Sequence, residues 1–429
     1  MIDVLGIGFG PSNLSLAIQL KELAFFNDKK VRFFEKKKSF SWQPGLLLPN
    51  TNLQIHFLKD LVTLINPKSP FTFINYLKEQ GRLSDFINLN VSYPSRMEFN
   101  DYLFWAANKF EDIVSYNSYI TDIEPKYNGN QVSHFKVTYV HDNIPNEIET
   151  RHLVIASGRS PKIPSAFFQI YDGINVIHSD QFTKSEVHKI ASENNLKDHK
   201  IAIIGAGQSA AEIFLYLLES KNPNLKVVNF IRQFGYSPAD SSSFRNKVFD
   251  PDFVDVFYNL PSEAKNNILE SLLNTNYSVV DPDLISKIFT KLYHMQHFDR
   301  SNNGAIVSLS EIKNVIRNSE NKIEIEYSSK INSKVEKQEF DYIVLATGFE
   351  QAFLYKKYFN KFKDIIQYGN DSNLEVNRDY SIKFKKCSEA KLFLQGYSEM
   401  NHGIADTLLS VMANRAFTIA TSLIGGNKN

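Results

Sequence analysis

The sequence predicts an α/β fold, with two Rossmann-like units and a smaller helical region attached. Two glycine-rich loops carry that expectation, Gly8-Phe9-Gly10-Pro11-Ser12-Asn13 and Gly205-Ala206-Gly207-Gln208-Ser209-Ala210. Each follows an apolar run (Ile2 to Ile7; Ile201 to Ile204) and opens into a segment with helical apolar spacing (Leu14 to Leu23; Ala211 to Leu218). The third observation is a pair of apolar strands running into small-residue turns, from His152 to Gly158 and from Tyr342 to Phe349. Such a segment suits a chain that crosses close to a cofactor or between two domains.

Glycines after a strand let the turn tighten and the backbone approach a pyrophosphate, whose charge rests on the next helix N-terminus. Two such loops imply an enzyme holding two dinucleotides, and electron transfer between them is the usual physical reason. Asn13 and Ala210 stand where a full G-x-G-x-x-G has its third glycine. Both are small enough for close helix–strand packing.

Taken in order, the first unit covers 1–165 and 341–429. Its second strand, Val31 to Phe34, ends in Glu35, placed to accept hydrogen bonds from a ribose. A plain surface carboxylate is the other reading. Polar alternation from Phe135 to Val140 predicts an antiparallel hairpin. The second unit covers 166–239 and 301–340, with a strand from Lys226 to Ile231 and a hairpin-like stretch from Lys322 to Tyr327. Residues 240–300 are helical and aromatic-rich with irregular loops, which suits a substrate region. From Leu392 to Ile424 the chain returns to the first unit as strand, loop and helix.

The 429 residues carry 48 basic and 47 acidic side chains with no long charge run, so there is no electrostatic footprint for nucleic acid. Lys36-Lys37-Lys38 reads as a solvated turn. Cys387 is the only cysteine, which excludes an intrachain disulfide and predicts a reducing compartment. No apolar run reaches membrane-spanning length, and Met1 leads straight into the first strand without room for a signal peptide. The expectation is a cytoplasmic protein with no integral membrane segment. The ten histidines are dispersed and make no metal-ligand spacing.

Further blocks stand along the chain: Leu53-Gln54-Ile55-His56-Phe57-Leu58-Lys59-Asp60-Leu61; Ser69-Pro70-Phe71-Thr72-Phe73; and Asp240-Ser241-Ser242-Ser243-Phe244 with Asn246. Then come Asn276-Tyr277-Ser278-Val279-Val280, Ala346-Thr347-Gly348-Phe349 and the run from His402 to Ser410. With the two loops, these blocks resemble, essentially end to end, the N-hydroxylating flavoprotein monooxygenases of siderophore biosynthesis, the L-ornithine N5- and L-lysine N6-monooxygenase family. The resemblance implies FAD in the first unit, NADPH in the second and molecular oxygen as oxidant. It further implies that the terminal primary amine of a small substrate is hydroxylated by a flavin C4a-hydroperoxide. The difficult chemistry then belongs to the cofactor, while the protein positions it and excludes water. Relatives form dimers and tetramers, so a homo-oligomer is expected.

By the same resemblance, Gly8, Gly10, Pro11, Asn13 and Glu35 hold the ADP part of FAD, and Trp42 and Gln54 sit beside the isoalloxazine ring. Trp42 reads equally well as core. Gly205, Gly207, Gln208 and Ser209 meet NADPH. Arg232 is placed for the 2′-phosphate, against its reading as a solvated strand-end cation. Thr347, Gly348, His402, Asp406 and Leu408 fall in cofactor-binding blocks. His402 and Asp406 flank the start of the last helix, whose N-terminus faces the flavin pyrimidine; Asp406 also reads as a simple helix-start carboxylate. Gln54, Asn246 and Asn276 match catalytic positions, and Lys59, Asn246, Asn276 and Ala405 match substrate positions. Lys59 would pair with an α-carboxylate, where its bland reading is a snorkelling cation. Tyr171-x-Gly173 with His178, Ser179 and Phe182 is a near miss to the signature of related flavin monooxygenases.

Some positions depart from the family. Ornithine enzymes commonly have Ser at Ala405, Gln43 and His56 replace the usual His and Ser, and Lys247 stands where an acidic residue is common. Losing a buried hydroxyl partner costs roughly 1–3 kcal/mol, least for a substrate without that polar head. Two substrate classes therefore stay open: L-ornithine or L-lysine, and a decarboxylated amine such as putrescine, cadaverine or histamine. A flavin reductase of the thioredoxin-reductase kind needs a redox-active disulfide or another acceptor, and the single cysteine excludes the disulfide form. A flavin- and NADPH-binding sensor without turnover is the non-enzymatic alternative.

Overall fold

Strand Ile2–Ile7 is the centre of a seven-stranded sheet, parallel to Val31–Phe34 on one side and to Ile144–Ile155 on the other. Its last four residues are buried, as a strand covered on both faces requires. The structure is a computed structural model that describes residues 1–193, 197–240, 242–272, 278–331, 334–350, 359–369 and 373–425. Ile144–Ile155 changes role along its length. Its polar first half pairs antiparallel with Gln131–His141, which pairs in turn with Ser118–Asn128, so the expected hairpin is present. Its apolar end, Leu153 to Ile155, lies between Ile2–Ile7 and the late strand Leu392–Leu394. Helices Pro11–Glu22 and Met412–Ile424 pack together against one face.

The second sheet is wholly parallel, in the order Gly304–Val307, Leu225–Phe230, His199–Ile204, Tyr342–Leu345, Val176–His178. This order corrects one expected boundary. Tyr342–Leu345, within the 341–429 stretch assigned by sequence to the first unit, is the strand next to His199–Ile204 in the second. The reason lies in two-sided burial. Val344 packs towards helix Gln208–Leu218, while Ile343 and Leu345 pack on the opposite face against Ile323, Ile325 and Tyr327. Those three come from an antiparallel sheet, Ser310–Arg317, Ile323–Ser329 and Val335–Phe340, that covers the second face.

Two helices of the 240–300 region begin on proline, Pro251–Tyr258 and Pro282–His297, where the missing N–H is no loss. Asp281 caps the latter by accepting from the Asp283 and Leu284 N–H groups. Ser262–Ser271 lies between them. The two small-residue turns cross between the sheets side by side. Ser160–Pro161 pairs antiparallel with Phe349–Glu350, and the Lys162 N–H donates to the Gly348 carbonyl at 2.9 Å. Among the described residues no helix is long and apolar enough to cross a membrane.

Candidate cofactor and substrate site

The two glycine loops repeat one geometry. Gly8 has φ +82°, and a Cβ there would stand 2.5 Å from the Ala156 carbonyl oxygen; Gly205 has φ +140°, with its Cβ 2.2 Å from that of Ala346. Each neighbouring strand passes so close that no side chain fits. Gly10 and Gly207 serve differently. Both are helix N-caps in extended conformation with no side-chain cap. A Cβ on Gly10 meets nothing within 4 Å, and one on Gly207 first meets Ser278 Cα at 3.6 Å. They keep space open before first-turn N–H groups that have no intrahelical acceptor. Pro11 at the first helical position has no N–H to leave unpaired. Each loop is therefore a cradle shaped for an anion.

Asn13, fully buried, donates to the Gly8 carbonyl at 2.6 Å and accepts from Gln395 Nε2 at 2.8 Å, so its amide pins the turn. Glu35 accepts from the Phe9 N–H at 2.8 Å and the Lys37 N–H at 3.0 Å, one bond per oxygen. It borders a cleft with Gly8, Lys36, Gly158, Arg159 and Tyr397. Each oxygen keeps a lone pair for a further donor.

At the second loop, Ser209 is half-buried on the first turn. Gln208 is occupied at both ends of its amide: Nε2 donates to Glu212 at 2.8 Å and Oε1 accepts from the Asp281 N–H at 2.9 Å. It ties the loop helix to the start of Pro282–His297. Arg232, two residues past strand Leu225–Phe230, is exposed and has no ion pair among the described residues. Thr347 and Gly348 lie in the crossing. The Thr347 hydroxyl donates to the Lys162 carbonyl at 2.5 Å, and His178 Nε2 lies 2.9 Å from the Gly348 carbonyl oxygen. The near-miss motif thus fastens the crossing.

Lys59 projects from a loop pinned by its neighbour. The buried Asp60 carboxylate accepts from the Val62, Thr63 and Phe73 N–H groups and the Thr63 hydroxyl, at 2.7–2.9 Å. Burial pushes its pKa up, and these donors oppose that shift. Lys59 Nζ lies 3.6 Å from Asp250 Oδ1. Asn246, half-buried, is in the 3₁₀ turn Arg245–Phe249 that leads to Asp250. Phe249 packs on a small cluster of Val254, Ala405 and Val411. Ala405 is 1% exposed, in an apolar seam rather than on an open face. Gln54 is exposed on the Lys59 loop. Trp42 is half-buried, edge-on to Phe99 at 5.9 Å, with its backbone N–H donating to Asn100 Oδ1 at 3.0 Å. Asn276 lies outside the described residues.

The C-terminal expectation needs correction. The last helix starts at Met412, not beside His402 and Asp406. His402 ends the short helix Glu399–His402, and Asp406 lies in the 3₁₀ turn Ile404–Thr407. Neither has any exposed surface for a cofactor to touch. His402 stacks on Tyr380 at 4.0 Å, and burial lowers its pKa to about 4. Asp406 accepts from the Ser398 N–H at 2.6 Å and pairs with Arg415 at 3.3 Å. Arg415 also reaches Ser12 Oγ at 2.9 Å and Gln395 Oε1 at 3.3 Å, building the wall behind the first loop. Leu408, half-buried, is the extended link between two 3₁₀ turns. Sequence reasoning missed Arg415 and Gln395. The available signal was an arginine on the apolar face of a helix, where a charge requires a buried partner.

Comparison with known proteins agrees with this geometry. The family profile described as L-lysine 6-monooxygenase/L-ornithine 5-monooxygenase matches residues 1–351. An L-ornithine N(5)-oxygenase of Arthrobotrys oligospora is 37% identical over 98% of this chain and 88% of its own length. The ornithine hydroxylase PvdA of Pseudomonas aeruginosa superposes with a TM-score of 0.91 at 36% identity, covering 99% of both chains. The ornithine N-hydroxylase KtzI of Kutzneria sp. 744, determined with reduced FAD, NADP+ and L-ornithine, superposes with a TM-score of 0.92 at 32% identity, again over 99% of both. Duplicated glycine cradles in a matching fold, with identity sustained over nearly the whole length, place the chain in the L-lysine 6-monooxygenase/L-ornithine 5-monooxygenase family.

Proposed function

We propose that this enzyme hydroxylates the terminal amine of L-ornithine, using FAD in the first unit, NADPH in the second and molecular oxygen, in the cytoplasm and for siderophore biosynthesis. The observation that carries the reading is the duplicated cradle: Gly10 and Gly207 each hold open the space before a helix N-terminus in one chain. Bound flavin supplies the two-electron chemistry and the activation of oxygen. The chain's own residues bind and orient. The first-turn N–H groups after Gly10 hold the FAD pyrophosphate, and Glu35 takes a ribose hydroxyl with its remaining lone pairs. Gly207 and Ser209 receive the NADPH pyrophosphate, and Arg232, without an ion pair among the described residues, takes its 2′-phosphate. Trp42 and Gln54 flank the flavin ring. Lys59 takes the substrate α-carboxylate, with Asn246 beside it. The apolar seam around Phe249 and Ala405 keeps water from the amine, which must be neutral to react.

Hydroxylamine formation tests this, with FAD, NADPH and oxygen, across L-ornithine, L-lysine, putrescine, cadaverine and histamine. Hydroxylamine is measured rather than NADPH loss, which uncoupled turnover also produces. Ornithine is expected to give the highest kcat/KM. Product only from a carboxylate-free amine would move the enzyme to a diamine or histamine substrate, and product from none would remove the reading.

A further inference from the structure

We infer that Asp250 reads the α-ammonium group of the amino-acid substrate whose α-carboxylate Lys59 takes, so that the two side chains together select a zwitterionic head. This rests on the amine-hydroxylase reading and on the place of Lys59 in it. The two groups stand 3.6 Å apart, with 26% of the Lys59 side chain and 45% of the Asp250 side chain exposed. They are open to a ligand from solvent, and a pair this exposed adds little to stability.

A second observation concerns what Asp250 does not do. It is the N-cap of helix Pro251–Tyr258, a position where Asp is favoured because its carboxylate accepts first-turn N–H groups. Here the side chain makes no capping bond. It faces the loop of Lys59 instead. Both ends of the pair are held from behind. Asp60 pins the Lys59 loop, while Phe249 anchors the turn before Asp250 against Val254 and Ala405.

A cation and an anion at this spacing match the head of an α-amino acid with opposite polarity. Carboxylate on Lys59 and ammonium on Asp250 replace one ion pair by two, with no unbalanced charge. A diamine satisfies Asp250 but sets its ammonium beside Lys59. An ω-amino acid without the α-ammonium satisfies Lys59 but sets its carboxylate beside Asp250.

The test titrates L-ornithine, putrescine and 5-aminopentanoate calorimetrically into the FAD-loaded enzyme with NADP+ present. Wild type, Asp250→Asn, Asp250→Ala and Lys59→Ala are compared, and KM is read in parallel from hydroxylamine formation. Both Asp250 variants should bind ornithine roughly 10- to 100-fold more weakly, as loss of a charge-assisted bond implies. They should also weaken putrescine, while 5-aminopentanoate binds as well or better. Lys59→Ala should weaken ornithine and 5-aminopentanoate and spare putrescine. Unchanged or tighter ornithine binding in FAD-retaining Asp250→Asn overturns the inference, because Asp250 would then be a bystander or a competitor for Lys59. That result leaves amine hydroxylation by the wild type standing. A wild type that binds none of the three and makes no hydroxylamine removes the functional reading, and this inference with it.

Discussion

Arg96 and Glu212 meet in a bidentate ion pair, Nη1 and Nη2 lying 2.7 and 2.8 Å from the two carboxylate oxygens, although they stand on helices that pack against different sheets. Both are buried. Arg96 opens the helix Arg96–Ala107, and its N–H donates to the Thr51 carbonyl at 2.9 Å. Glu212 lies one turn into Gln208–Leu218 and also accepts from Gln208. The pair therefore clamps the first unit to the helix beneath the second glycine loop. Burial pushes the Glu212 carboxyl up, and Arg96 opposes that shift.

Breaking this clamp from one side leaves a buried charge without a partner. Arg96→Met or Glu212→Leu alone should cost about 3–5 kcal/mol, because the orphaned group keeps its desolvation penalty. Replacing both with apolar side chains removes the penalty, so the double variant should be more stable than either single one. Denaturant unfolding of the four proteins reads this directly. Strict additivity would mean that the two side chains are not coupled.

Gly8 and Gly10 separate folding from cofactor binding. Gly8→Ala forces a side chain into a positive φ and against a backbone carbonyl, so it should cost roughly 2–5 kcal/mol even without FAD. Gly10→Glu has open space for its Cβ, and the apoprotein should unfold at a midpoint close to wild type. Its carboxylate enters the anion cradle, so purified Gly10→Glu should carry no FAD. Normal FAD content in that variant would remove the first loop from the cofactor site.

Arg232 is exposed two residues past a strand of the second sheet and has no ion pair among the described residues, so its charge could meet an adenosine 2′-phosphate. Arg232→Ala should raise KM for NADPH roughly 10- to 100-fold, the loss of one charge-assisted contact. KM for NADH should scarcely move. Equal changes with both nucleotides would show that this side chain does not read the phosphate.

Features set by short-range pattern were legible in the sequence. The two glycine loops, their strands and the hairpin after Ser118 follow from apolar runs, alternation and turn glycines a few residues apart. The likeness of His152–Gly158 to Tyr342–Phe349 points to two similarly built units, but the pairing of Ser160–Pro161 with Phe349–Glu350 leaves no signal in the sequence. What escaped were choices between distant partners. Tyr342–Leu345 is apolar enough for either sheet, and its place is decided by clusters on both of its faces. Arg415 reaches Ser12 across 403 positions and Arg96 reaches Glu212 across 116, so neither pair leaves a local signature. The family-like block from His402 to Ser410 carries no sign of which of its side chains face inward. The burial of His402 and Asp406 shows that the segment is interior wall.

The buried His402 makes a pH prediction with a definite sign. Its pKa falls to about 4 because burial penalises the imidazolium, and Nε2 lies 3.3 Å from the Arg378 carbonyl oxygen. His152 is lowered to about 4 chiefly by burial as well, with its Nδ1 accepting from the Lys391 N–H at 3.0 Å. In the unfolded chain both titrate near 6.5. Above that pH both states are neutral and the folded protein keeps its full advantage. As pH falls from about 6.5 towards 4, the unfolded chain takes up protons that the folded one refuses, and stability drops. Below about 4 the folded histidines protonate too, and the loss levels off. For His402 the whole window is worth roughly 3 kcal/mol. Unfolding midpoints of wild type and His402→Gln between pH 8 and pH 4 isolate this term from the carboxylates, which are common to both. The variant should start less stable at pH 8, having lost the stack on Tyr380, and should then decline less steeply through the window. Parallel curves would mean that His402 takes up its proton over the same pH range in the folded protein as in the unfolded chain.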